Sequence, residues 1–216
     1  MICVSLAEDS VASCMSALKR LDCAEIRIDV IRPTLDEVRS LFSQPKTLIA
    51  TCRARAHPDK DRKKLLIAAI EAGAAFVDVE IESERNYREE IIAKAKAYNC
   101  RVIVSFHDHA GTPGRHVLDR IVDSCFEAGA DIAKIACTVR LPEESARLLG
   151  LLDDSRKIVV IGIGDEGRIT RIATPFLGSP LTFASLAKGK ETAEGQIDNE
   201  TLATLVAQLR KVILSS

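Results

Sequence analysis

Glu25-Ile26-Arg27-Ile28-Asp29-Val30 places a charged residue at every odd position and an aliphatic one at every even position. Successive side chains of a strand point to opposite faces. The run therefore predicts a strand over 25–30, with Glu25, Arg27 and Asp29 on one face and Ile26, Ile28 and Val30 on the other. Strands of parallel sheets usually read as continuous apolar runs, so this alternation is informative. In a sheet closed on itself, the aliphatic face meets surrounding helices and the charged face points inward.

The rest of the chain supplies that setting. Short β-type runs recur at 2–6, 47–52, 76–81, 101–106, 131–136, 157–162 and, more weakly, 179–183. Helical periodicity separates them, most clearly over 10–21, 62–72, 87–98 and 116–128, and a last helix is expected near 199–213. Two of these helices run into the same signal, Glu-Ala-Gly-Ala, at 71–74 and 127–130, where glycine suits a left-handed C-terminal cap. Strand–helix alternation implies parallel strands with right-handed crossovers. Eight such units in 216 residues predict a single (β/α)8 TIM barrel spanning 1–216. An open doubly wound sheet requires a glycine-rich turn after the first strand, and Leu6-Ala-Glu-Asp-Ser offers none.

Composition narrows the function classes. Apolar residues make up 47% and charged residues 28%, with 30 basic against 31 acidic side chains and a net charge of −1. That balance leaves no nucleic-acid footprint and no pull towards anionic membranes. No apolar run approaches the roughly 18 residues of a membrane span. The start lacks the basic residues and long apolar stretch of a signal peptide. Seven cysteines, at 3, 14, 23, 52, 100, 125 and 137, form no C-x-x-C pair. Buried free thiols in a reducing, cytoplasmic setting are the expectation, rather than disulfides or a zinc site.

The same parity rule selects candidates for chemistry. Thr51 and Arg53 fall together on the third run, Asp78 and Glu80 on the fourth, Ser105 and His107 on the fifth. The sixth, Ile132-Ala133-Lys134-Ile135-Ala136, carries one lysine among apolar residues. Charges on a half-exposed sheet would be the bland account, but the helical segments offer enough apolar surface to cover both faces. Inward-facing charges must then be paired and hydrogen-bonded. A buried lysine alone reads as a structural cation or as a nucleophile. Desolvation, with Arg27 and Arg53 as neighbours, favours the neutral amine that attacks a carbonyl to form an imine. His107, on the adjacent strand, is the matching proton shuttle.

These residues carry a resemblance. Glu25-Ile-Arg27-Ile-Asp29, Thr51-Cys-Arg53, Val104-Ser105-Phe106-His107-Asp108 and Asp131-Ile-Ala-Lys134-Ile-Ala are followed by Gly164-Asp-Glu-Gly167-Arg-Ile-Thr170-Arg171. Gly178-Ser-Pro180-Leu-Thr182-Phe183 and Ala193-Glu-Gly195-Gln196 complete the series. In this order and spacing the chain resembles the type I 3-dehydroquinate dehydratases, lyases of the shikimate pathway, over nearly its whole length. The resemblance implies an imine between Lys134 and the substrate's C3 ketone. It implies His107 as general acid and base at C2 and C1, and Arg171 as the carboxylate clamp. It places Glu25, Arg27 and Arg53 against the ring hydroxyls and the reacting centre, and Thr192 and Gln196 on a loop closing over the substrate. It implies no metal, no separate cofactor and a possible homodimer.

The sequence also departs from the family pattern. Arg53-Ala-Arg-Ala-His57-Pro58 replaces the usual Glu-Gly-Gly, so His57 stands where a Glu orients the catalytic histidine; His109 or Glu80 are candidates for that task. Glu194 replaces a lid proline, which predicts a looser lid, and Ile161 and Ile163 replace methionines. Gly162-Ile-Gly164-Asp-Glu-Gly167 has dinucleotide-fingerprint spacing but follows the seventh strand, so a phosphate or carboxylate site at a helix start is the better expectation. Lys60, Arg62, Lys63 and Lys64 read as a solvated helix face. Two other functions remain open from sequence: another Schiff-base lyase of aldolase type, and a non-catalytic ligand-binding barrel.

Overall fold

A computed structural model describes residues 1–54 and 58–214. Eight strands alternate with helices. In chain order these are β1 (Ile2–Leu6), α1 (Val11–Leu18), β2 (Cys23–Arg27), α2 (Ile28–Ile31), α3 (Leu35–Phe42), β3 (Thr47–Thr51), α4 (Asp59–Glu71), β4 (Phe76–Glu80), α5 (Arg85–Ala97), β5 (Arg101–Asp108), α6 (Arg115–Glu127), β6 (Ile132–Thr138), α7 (Pro142–Leu149), β7 (Ile158–Ile163), α8 (Arg168–Ala173), β8 (Thr182–Ser185) and α9 (Asn199–Leu214). The strands form one sheet in the order β7-β6-β5-β4-β3-β2-β1-β8. This order is that of a (β/α)8 barrel, the class expected from the alternation.

The chain packs as two compact units. One comprises Ser5–Phe106 and Ile121–Ala133; the other comprises Met1–Val4, His107–Arg120 and the chain from Lys134 onward. In the first, β2, β3, β4 and β5 pair in parallel, with Cys23 opposite Thr47, Thr51 opposite Asp78 and Glu80 opposite Ser105. Its apolar core includes Ile26, Ile49, Val77 and Val102 from the strands and Leu41, Phe42 and Leu66 from helices. In the second, Ala184, Leu202 and Val206 pack with Ile2, Ile172, Phe176 and Ile197.

Local chemistry sets the element ends. Ser10 caps α1 by accepting from the Ser13 amide, and Thr34 and Glu37 form a reciprocal capping box on α3. Gly73 and Gly129 adopt φ of +108° and +101°, and the amides of Ala74 and Ala130 reach back to the carbonyls of Ala69 and Cys125. The two Glu-Ala-Gly-Ala signals are thus helix caps of the left-handed kind.

The run that suggested the fold is a strand only in part. β2 ends at Arg27, and Asp29 and Val30 belong to the single helical turn α2, which closes on Arg32 in the left-handed region at φ +54°. The Arg27 guanidinium bonds both Asp29 carboxylate oxygens, at 3.0 and 2.6 Å, across that turn. Parity therefore holds through the buried Ile26 and Ile28 and fails at Val30, which is exposed. β5 and β6 run two residues further than expected, to Asp108 and Thr138, and His107 lies near the end of β5 as its motif suggested. The weak eighth strand lies at Thr182–Ser185 rather than 179–183.

Candidate active site

Lys134 sits in β6 with only 4% of its surface exposed. Its Nζ lies 4.5 Å from the centre of the Phe183 ring on β8. The Phe183 carbonyl accepts from Nη1 of Arg171 at 3.2 Å, and the Thr182 hydroxyl donates to the Arg171 carbonyl at 2.9 Å. One β8 residue therefore joins the lysine to the arginine: its ring faces the amine and its backbone holds the guanidinium.

Arg171 is unusual for a buried cation. It is 1% exposed, and its Nε and Nη2 have no hydrogen-bond partner among the described residues. Burial pushes its pKa down to about 10, with no acid among the causes. Nε and Nη2 share one edge of the guanidinium, the edge that pairs with both oxygens of a carboxylate. Arg27 and Arg53 are the opposite case. Burial disfavours both charges, but Asp29 raises the pKa of the first and Asp78 that of the second. Their positive charge is largely answered inside the protein, which weakens the expectation that they act on the lysine as free cations.

The Arg53 head is held from three directions. Nη1 and Nη2 bond the two Asp78 oxygens at 2.8 and 3.0 Å, and Nη1 also donates to the Ser105 hydroxyl at 2.9 Å. Ser105 in turn donates to Asp78 at 2.6 Å. Glu25, 5% exposed, accepts from Ser5 at 2.6 Å and Thr51 at 2.9 Å. Parity had placed Glu25, Thr51, Asp78 and Ser105 on one face. The structure joins them into hydrogen-bonded clusters that satisfy the charges.

His107 and His109 stack with ring centres 6.5 Å apart and planes 16° from parallel. Glu80, a candidate for orienting His107, instead accepts from Arg62 and from the Ala54 amide. His57 lies outside the described residues. The Gln196 carbonyl oxygen accepts from the Thr192 amide at 2.7 Å and hydroxyl at 3.2 Å. The same loop is tied to the turn after β7, where the Gly164 amide donates to the Glu194 carbonyl. A proline at 194 would offer that carbonyl equally well, so the Glu194 replacement leaves this tie intact.

The glycine spacing after β7 has a packing cause. A Cβ on Gly162 would lie 2.5 Å from the Gly167 Cα, and one on Gly195 would lie 2.1 Å from the Gly164 oxygen. These are backbone-on-backbone contacts, and α8 is six residues long. The spacing thus gives no support to a phosphate or carboxylate site at that helix start. The solvated-face reading of residues 60–64 needs correction at Arg62, which is 2% exposed. Arg62, Leu65, Leu66 and Ala69 share helical spacing, the signal that places it on the buried side. Phe183 and the Asp78 clamp on Arg53 were also missed as site elements. Among the described residues no group of His, Cys, Asp and Glu is placed to hold a metal.

The strand order and alternation define the chain as a (β/α)8 barrel, and its relatives place it among the lyases. Residues 2–212 match the family model described as type I 3-dehydroquinase, and the chain belongs to that family. A 3-dehydroquinate dehydratase of Methanocaldococcus jannaschii is 35% identical over 218 residues, covering 94% of this chain and 96% of the relative. The solved 3-dehydroquinate dehydratase of Aquifex aeolicus VF5 has a TM-score of 0.82 at 26% identity, over 98% of both chains. The type I enzyme of Clostridium difficile, solved with covalently modified comenic acid, shares the fold with a TM-score of 0.86 at 23% identity. That match covers 98% of this chain and 92% of the other.

Proposed function

We propose that the chain dehydrates 3-dehydroquinate to 3-dehydroshikimate through an imine on Lys134, with His107 moving the protons. Arg171 carries the reading: a buried guanidinium with one edge unpartnered, joined through Phe183 to a buried lysine. An anionic carboxylate satisfies that edge and places the rest of a small ring molecule near the amine.

The chemistry follows from these groups. The Lys134 amine attacks the C3 ketone, and the carbonyl oxygen leaves as water. The protonated imine then withdraws electrons from C2, and His107 removes the C2 proton. The C1 hydroxyl departs as water with a proton returned by His107, leaving a conjugated system. Water hydrolyses the imine and frees the amine. The π face of Phe183 favours a cationic nitrogen, which suits the iminium stage.

Glu25, Arg27 and Arg53 contact the ring hydroxyls in this reading, their side chains preset by Ser5, Thr51, Asp29 and Asp78. Thr192 and Gln196 close over the substrate. The reaction needs no metal and no cofactor, and residues 1–216 act as one catalytic domain. The free, buried cysteines fit a cytoplasmic setting, and a homodimer is the assembly the resemblance implies. No helix among the described residues is long and apolar enough to cross a membrane.

The test uses purified protein and 3-dehydroquinate. Ultraviolet absorbance of the enone product rises with time, and borohydride added during turnover fixes a covalent adduct that mass spectrometry locates on Lys134. Undiminished turnover in Lys134→Ala ends the imine reading.

A further inference from the structure

We propose that Arg62 is a positioning residue for Arg53, fixing the peptide groups on both sides of it. The inference rests on the reading that Arg53 contacts substrate.

Arg53 lies past the last residue of β3. On its N-terminal side, the Cys52 carbonyl accepts from Arg62 Nε at 2.9 Å. On its C-terminal side, the Ala54 amide donates to Glu80 Oε2 at 3.2 Å. That same oxygen accepts from Arg62 Nη2 at 2.9 Å, while Nη1 reaches Asp59 at 2.8 Å. A single guanidinium thus holds one flanking peptide directly and the other through Glu80. Arg53 is fixed at its root by this clamp and at its head by Asp78 and Ser105.

The residue type fits the task. A guanidinium presents donors in a rigid planar fork and serves several acceptors at once, which a flexible ammonium does less well. The Arg62 Cζ also lies 5.0 Å from the centre of the Tyr87 ring, packing that a large apolar side chain could supply as well. Arg62 shares its helix face with the buried Leu65, Leu66 and Ala69, and buried ion pairs are often replaceable by well-packed apolar side chains at no cost in stability. A buried arginine in this position is explained by what it aligns.

The test is a double-mutant cycle on 3-dehydroquinate turnover, with melting curves run in parallel. Arg62→Gln keeps a polar chain but cannot bridge Cys52 and Glu80 together. It is expected to lower kcat/KM by about 10- to 100-fold, the scale of a small misplacement of a binding group. In an Arg53→Lys background, the same change is expected to cost less than about twofold, because the group being positioned is already altered. A merely structural role lowers the melting temperature and reduces kcat/KM by the same factor in both backgrounds. That additive result, or unchanged kcat/KM in folded Arg62→Gln, overturns the inference. If Arg62→Gln does not fold, Arg62→Lys takes its place in the cycle with the same criteria. Absence of turnover in the wild type overturns the proposed function and this inference with it; turnover with additive factors overturns the inference alone.

Discussion

Replacing Arg171 with methionine should make the free protein more stable and the enzyme inactive. The native residue is held at a cost. Burial lowers the Arg171 pKa to about 10, and a fall of two to three units at about 1.4 kcal/mol per unit places a penalty of roughly 3 kcal/mol on the charged form. Two buried nitrogens without partners, at about 1–3 kcal/mol each, give a cost of similar order. Methionine removes that penalty and forfeits the bond to the Phe183 carbonyl, at about 1 kcal/mol. The net gain is about 2 kcal/mol, a rise in Tm of roughly 4–8 °C for a chain of this size. The pH dependence has a defined sign. Between pH 10 and the higher pKa of the unfolded state, Arg171 holds more protons in the unfolded chain than in the folded one, so the contribution of this one group to stability rises with pH there. The advantage of Arg171→Met is therefore full near neutrality and shrinks above pH 10. Differential scanning calorimetry at pH 8 and pH 10.5, with and without 3-dehydroshikimate, measures each part. The ligand should raise the Tm of the wild type only, by mass action. A variant that melts at or below the wild type at pH 8, or that gains as much from the ligand, refutes the assignment of Arg171 as a carboxylate receptor held at a cost.

Asp78→Ala leaves the half-buried Arg53 guanidinium without its acid and should destabilise by up to about 3 kcal/mol, read as a lower urea midpoint. Gly195→Ala combines a φ of +73° with a Cβ 2.1 Å from the Gly164 oxygen. It should lower kcat/KM by roughly 10- to 100-fold through displacement of Thr192 and Gln196, and kinetics within twofold of wild type would contradict the closing role of that loop. Burial pushes the Cys14 thiol up to about 11 and those of Cys52, Cys100, Cys125 and Cys137 to about 12. At pH 8 a disulfide reagent should leave these five unmodified in the native protein and react with all seven cysteines after unfolding.

Parity and periodicity made the fold legible because both depend only on neighbours along the chain. They located the eight strands and the main helices. They failed where the chain leaves that regime: Asp29 and Val30 continue the alternation of β2 but belong to a turn that the Arg27–Asp29 pair closes. In the site, Lys134 was visible as a polar residue among apolar ones, and Arg171 through its motif. Their link through Phe183 was not, since it uses a backbone carbonyl and a ring face that carry no pattern in sequence. Arg62 was misread because nearby lysines masked its place on the apolar side of α4. Two of its partners, Cys52 and Glu80, lie 10 and 18 residues away, beyond any helical spacing.

The glycines around the turn after β7 also bear on library design. Gly162 meets Gly167, and Gly195 meets Gly164, main chain against main chain. Information about side-chain identity does not pass across such contacts. Saturation mutagenesis at Thr192 leaves those main-chain contacts untouched, whereas Gln196 also shapes the loop, because its side-chain oxygen accepts from the Thr192 amide at 2.7 Å. One added carbon at Gly162, Gly167 or Gly195 instead demands that a backbone move. Diversity is best spread over Thr192 while Gln196 and the glycines are held fixed.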